Sequence, residues 1–308
     1  MSKITVFSGA KGLNTKTDPV RIDFNPKTGV TDLAAAVNVD IDDTGRISRR
    51  KGFTKVKTAD CHSLFCDGGE CVYASGTSLY ILGSDYTSRS VATVTEGAKL
   101  SYAQVNDVLF YTNGYEKGLI RDGVADDWEK GTYVGPTTDR EISNPPIGTH
   151  IGWYKARMYV SQANVVWYSE PFSYGAFDLA RNHLLFANPV TMIRPVKSGI
   201  FFSTSDKTYY VGGDEPREFN LRLVADYPAI SYTDCSTTLR VLFDKNGNPF
   251  FNLSGGAKSA IWNSIHGPCY GASDGSFYAL LEDKITLPNG ITGSGLVTGS
   301  RYIALTNP

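Results

Sequence analysis

The feature that most constrains this chain is a recurrence. Short runs of β-branched and aromatic residues, separated by tight turns, return about every forty residues. The clearest unit is 155–177, KARMYVSQANVVWYSEPFSYGAF. Residues 157–160 rise, 161–164 supply a polar turn and 165–168 return, a composition that suits a pleated, half-buried hairpin. Pro171 cannot donate to a ladder, so the chain is expected to leave the sheet at 169–171 and run on to Pro189 as a long inter-blade excursion. Comparable units occupy 62–81, 99–121, 192–211, 239–262 and 269–287, with turns such as 66–70, 112–114, 203–206, 244–247 and 273–275. Their central strands start near 72, 108, 158, 200, 249 and 277. Four-stranded propeller blades repeat at this period. The expected fold is therefore all-β, a β-propeller of about five to seven blades with an extended N-terminal arm. A β-sandwich would use the same strands without requiring the repeat. Residues 295–298 and 301–305 supply further strands, expected to close the ring with the N-terminal part.

Composition agrees with sheet: 18 Tyr and 15 Phe stand against 3 Met, and 31 Gly are scattered without a period, as many turns require. The net charge of −1 predicts no strong attraction to nucleic acid or to an anionic membrane. No apolar run approaches the ~20 residues of a spanning helix, and residues 1–5 lack the apolar segment of a secretory leader. With 5 Cys, an odd number, the expectation is a protein made in a reducing cytoplasm with free, mostly buried thiols.

Two parts are expected, an N-terminal arm with a first hairpin over 1–55 and the propeller over 56–308. Residues 1–30 carry isolated apolar side chains (Ile4, Val6, Phe7, Leu13, Val20, Ile22, Phe24) among Gly, Lys, Thr, Asp and Pro, which reads as an arm that packs on something else. Residues 31–36, TDLAAA, form the best short helix candidate, with Thr31 or Asp32 as N-cap. Residues 38–41 and 46–49 flank a turn at 42–45 in which Gly45 supplies the positive φ of a hairpin. A calcium loop is the rival there, since Asp40, Asp42, Thr44 and Gly45 echo its start. Its twelfth position is Lys51 rather than a bidentate Glu, and flanking helices are not evident.

Catalytic chemistry finds little support. Residues 271–275 match G-x-S-x-G, but a nucleophile elbow needs a helix after the Ser, and a strand follows Ser273. Cys61, His62, Cys66 and Cys71 are spaced C-x4-C-x4-C, without the paired C-x2-C of a zinc site, and Cys66 and Cys71 bracket a turn across which they can face one another. Ser273-Asp274-Gly275 loosely resembles the Asp turn of sialidases but lacks its Thr-Trp ending. A glycosidase also needs two carboxylates at a set separation. Residues 9–12 have the wrong spacing for a P-loop. No enzyme activity, cofactor or metal is expected. Arg46, Arg49, Arg50 and Lys51 form the one basic cluster, either a solvated strand end or a contact for an acidic neighbour or a DNA phosphate.

Two stretches carry a resemblance. One runs Gly12-Leu13-Asn14, then Ala34-Ala35-Ala36-Val37-Asn38-Val39-Asp40, then Thr44-Gly45-Arg46-Ile47-Ser48-Arg49-Arg50-Lys51-Gly52-Phe53. The other is Met158-Tyr159-Val160 with Val166-Trp167-Tyr168-Ser169-Glu170-Pro171 and Phe177. Both resemble the β-propeller tail-hub or nozzle proteins of tailed, in particular short-tailed, bacteriophages, which extend the tail tube below the portal. The resemblance covers the first 55 residues and one blade, and its motifs carry no catalytic residue. It implies a structural virion protein, made in the host cytoplasm, that forms a homo-oligomeric, hexameric ring around the genome-exit channel. Its neighbours would be tail, adaptor or portal proteins, and DNA would pass without sequence-specific binding. The assembly contacts it implies are Leu13, Val20, Ile22 and Phe24 in the arm, with Arg49, Arg50 and Lys51 as polar contacts. The alternative is a carbohydrate-binding or glycoside-hydrolase-like propeller acting as a monomer.

Overall fold

The computed structural model describes residues 8–307 except 23, 26–28, 43, 68–69, 132, 134, 136–139, 239–240, 244–248, 252–255, 289–291 and 299–300. The fold is all-β, a propeller of five blades. Blades I to V span 62–93, 101–126, 150–185, 190–225 and 235–279, each an antiparallel sheet. The first strands, His62–Asp67, Ser101–Val105, His150–Tyr154, Val190–Pro195 and Cys235–Thr237, lie innermost, and those of neighbouring blades approach one another around the axis. Tight hairpins make this possible. Lys155 and Ala156 (φ 44 and 59) and the pair Asp122–Gly123 (φ 50 and 74) take the left-handed conformation that matches the twist of the strands they join.

The core lies between blades. Val72, Leu79, Leu109 and Ile120 fill the space between I and II, and Phe110, Trp128, Ile151, Met158 and Phe177 that between II and III. Tyr159, Val166, Ile193 and Phe202 join III to IV, while Met192, Phe201, Trp262 and Cys269 join IV to V. A central strand is thus covered on both faces, which explains why Gly199–Thr204 is buried at every position, with Ile200, Phe201 and Phe202 consecutive in it. Sheet approach also sets residue size: a Cβ on Gly271 would lie 2.4 Å from the Phe201 ring.

Several expectations change. The two units expected at 239–262 and 269–287 contribute to a single blade, without the central strand expected at 249. Strands Ser259–Ser264, Gly267–Gly271 and Phe277–Ala279 complete blade V, and Val241–Phe243 with Pro249–Phe251 forms a separate two-stranded hairpin. The turn expected at 244–247 lies outside the described residues. The span 171–189 is no excursion. Pro171 and Phe172 (φ 58) make a two-residue turn, and both Ser173–Phe177 and His183–Leu185 pair with Val165–Glu170. Residues 31–36 are not helical: Val30–Leu33 is a strand pairing with Gly9–Leu13 and Phe24–Asn25. Six residues cannot offset helix nucleation, whereas a strand here gains two partners. The hairpin of Val39–Ile41 and Ile47–Arg49 forms as expected, with Gly45 at φ 82.

The C-terminal strands Thr292–Thr298 and Arg301–Asn307 make their own hairpin. It lies across the segment leading into blade V, with Gly293 N donating to Ser231 O and Gly295 N to Tyr232 O.

Candidate functional site

Polar side chains gather where the inner strands begin. Tyr232, held at φ 65 just before blade V, stacks its ring on His150 of blade III at 4.9 Å. The Lys99 ammonium, at the start of blade II, sits 5.6 Å from the centre of the same ring and donates to Gly293 O at 2.6 Å. Arg194 of blade IV donates through Nε to Asp234 at 2.7 Å, and Tyr302 of the C-terminal hairpin donates to Thr233 O at 2.7 Å. His150 is only 6% exposed, its Nδ1 lies 3.0 Å from Thr149 Oγ1, and its Nε2 has no partner. Burial, with Arg194 adding to it against Asp234, lowers its pKa to about 4. Burial likewise pushes the Cys235 thiol up to about 12, so it offers no thiolate at neutral pH. This arrangement fastens four blades and the C-terminal hairpin together at the axis, a binding function internal to the fold.

The N-terminal residues form a platform beside blade V. Gly9–Leu13 runs parallel to Val30–Leu33, and Ala10 N donates to Gly45 O at 2.8 Å, which ties the sheet to the first hairpin. A Cβ on Gly9 would lie 2.8 Å from that same oxygen, so only glycine permits the approach. Thr15 N donates to Lys284 O at 2.8 Å, Lys16 Nζ to Glu282 O at 2.9 Å, and Lys284 Nζ pairs with Asp32 at 3.0 Å. Asp40 receives Arg301 of the C-terminal hairpin at 3.1 Å and Arg50 at 3.8 Å. The arm therefore packs on its own chain.

Of the residues read from sequence, Leu13 and Phe24 come together in the platform sheet, on strands flanking Val30–Leu33. Ile22 is half-buried, while Val20 is 93% exposed on the turn Pro19–Arg21, where its N–H donates to Asp18 Oδ1 at 2.9 Å. Arg49, Arg50 and Lys51 are exposed on the separate hairpin and its exit. Sequence reasoning set no role on Val37, Phe53 and Val56, all of them exposed. It also missed Leu296, Ile303 and Leu305, exposed on one face of the C-terminal hairpin. Both strands carry apolar residues at successive positions (Leu296 with Val297, and 302–305), so the sequence did not mark which face stays open.

The other candidates resolve into structural roles. Cys66 and Cys71 face each other in the hairpin register and form a disulfide, Cys61 is exposed and Cys235 is half-buried, so the expectation of free, mostly buried thiols is corrected. Among the described residues no group of three or more His, Cys, Asp or Glu is placed to hold a metal ion. Asp42 Oδ1 accepts from the Thr44 hydroxyl at 2.6 Å, Thr44 N at 2.9 Å and Arg46 N at 3.0 Å, which holds its carboxyl below the usual range and organises the turn. Ser273 lies in the turn before strand Phe277–Ala279, where Gly275 (φ 89) donates to Ala272 O. The buried carboxylates Glu170 and Asp178 are both engaged by Arg140, which pins the 127–149 connection to blade III. Trp128 joins it there, donating Nε1–H to Tyr174 O at 3.1 Å.

No protein-family model and no curated protein matches the chain. Among solved structures it is similar to streptogramin B lyase, at 10% identity and TM-score 0.46 over 82% of this chain and 79% of that one. It is similar to the extracellular domain of a hybrid two-component system from B. thetaiotaomicron at 9% identity and TM-score 0.45, over 80% of this chain. There it spans 31% of the other protein's length. The Neurospora crassa Pan2 WD40 domain matches at 10% identity and TM-score 0.36, over 78% and 69% of the two chains. These likenesses concern the fold and carry no argument about activity or partners.

Proposed function

We infer that this protein is a structural subunit of a bacteriophage tail, a propeller hub or nozzle that assembles into a ring around the genome-exit channel. The observation that carries the reading is the placement of exposed apolar side chains. Val20, Val37, Phe53 and Val56 crowd the N-terminal sixty residues, which are bound to the propeller but present these side chains outward. Large apolar side chains left exposed along a segment that is itself bound to the propeller support a protein–protein contact there. The sequence resemblance includes two of them, Val37 and Phe53. Propellers suit the role, since they leave few free strand edges and make rigid blocks for a cyclic assembly.

Mass photometry of the full-length chain over a concentration series, with negative-stain imaging, tests this. Rings of roughly six subunits are the expected result for a closed cyclic assembly. A monomer that binds or turns over glycans on a panel would instead favour the carbohydrate-binding propeller and overturn the reading.

A further inference from the structure

The segment leaving the first hairpin has a composition unlike the rest of the surface. From Arg46 to Lys57 it holds six cationic residues and no acidic one. Residues 51–58 take no regular structure, and all but Lys57 are exposed, Phe53 to 83%. In an extended chain alternate side chains share a face, so Lys51, Phe53 and Lys55 would project together as a cation, an aromatic and a cation.

Blade II offers the complement. Its outermost strand, Val124–Asp126, pairs with Lys117–Arg121 on one edge, and no strand covers the other edge among the described residues. From Asp122 to Glu129 there are four acidic residues and no cation, all four exposed. On one face of the strand, Val124, 63% exposed, and Asp126 present an apolar residue and an acid, and Asp122 adds a second acid from the turn (φ 50) that opens the strand. An added antiparallel strand would set Lys51 opposite Asp126 and Phe53 opposite Val124, and would carry Lys55 past the strand's start towards the turn that holds Asp122. Within the chain no hydrogen bond or ion pair joins the two stretches among the described residues.

We propose that residues 51–57 of one subunit add as an edge strand to Val124–Asp126 of a second copy of this chain, making the repeated head-to-tail contact of the assembly. The proposal rests on the reading of the protein as a self-assembling ring subunit and names its interface. Strand addition supplies main-chain hydrogen bonds, and the alternating pattern supplies register and partner choice. A heterologous contact of this kind closes into a ring when its rotation permits. A second copy is favoured over nucleic acid because the pattern alternates charge with an apolar residue that matches Val124, which a phosphate backbone has no means to read.

A charge swap on the full-length chain tests it, followed by sedimentation velocity at low salt, where exposed charges are least screened. One variant carries Lys51→Glu and Lys55→Glu, the other Asp122→Lys and Asp126→Lys. All four positions are exposed, so unchanged thermal melts are expected for both. Each variant alone is expected to associate at least about tenfold more weakly than the unsubstituted chain, and an equimolar mixture to regain association, because each then meets an oppositely charged partner. Rings that form equally well in both variants would overturn this contact while leaving the ring reading in place. A parent chain that stays monomeric at every concentration would also overturn it, and recovery of the protein in purified particles would then judge the ring reading separately. Binding of a short DNA duplex that is lost with Lys51→Glu and Lys55→Glu, with association unchanged, would reassign the segment to nucleic acid.

Discussion

Phe201 and Phe202 are consecutive, both fully buried, and serve different interfaces: Phe201 packs on Trp262 towards blade V, and Phe202 on Phe186 towards blade III. Truncating either removes ring contacts that the opposing sheet cannot collapse to replace. Phe201→Ala is therefore expected to cost about 3–5 kcal/mol, read as a lower urea midpoint at unchanged m-value; an effect below about 1 kcal/mol would contradict the blade packing. His150 is a residue-scale test of the axial cluster. Thr149, Tyr232, Arg194 and Asp234 surround it, and burial lowers its pKa from 6.5 to about 4. A group whose folded pKa is depressed takes up protons on unfolding, so its contribution is fully present above pH 6.5 and is lost as pH falls towards 4. The loss amounts to about 3 kcal/mol. The His150→Phe variant, which keeps a ring on Tyr232, is expected to lose less stability than the parent between those pH values. Equal losses in paired urea titrations would show that His150 is not held neutral in the fold.

At the scale of elements, the platform sheet depends on few polar ties to the propeller. Lys284 and Asp32 are both mostly buried at their contact, so Lys284→Met is expected to ease opening of the arm by roughly 1–3 kcal/mol. Limited proteolysis should then cut faster within residues 8–33 while the global melt barely moves; unchanged cleavage would mean that the arm is held elsewhere. The elements themselves were unevenly legible. The hairpin 157–168 could be read directly, because β-branched and aromatic runs bounded by turn residues specify pairing with the nearest neighbour. Residues 31–36 read as helix because local propensity was judged without the two strands that Val30–Leu33 pairs with. Pro171 read as the end of a sheet, yet its fixed φ suits the first corner of a turn, so the chain reversed there and added an outer strand.

For the whole molecule, successive blades are joined through long-range contacts, and the arm is an addition to them. A chain lacking residues 1–30 is expected to lose the platform sheet but to keep the strands of its five blades by circular dichroism, and to be absent from purified particles; its recovery there would remove the arm from assembly. The fold class and the approximate repeat were determined by the sequence itself, since alternation, turn chemistry and spacing are local properties that need no knowledge of what each strand meets. The basic cluster at 46–51 and the facing of Cys66 and Cys71 across their turn were likewise visible. The tertiary structure alone decided that six apparent units make five blades, that Tyr232 unites Lys99 and His150 at the axis, and that the arm lies against residues 282–284 of its own chain. Each of those depends on residues far apart in sequence being brought within a few ångströms by packing between blades, and no local pattern encodes that distance.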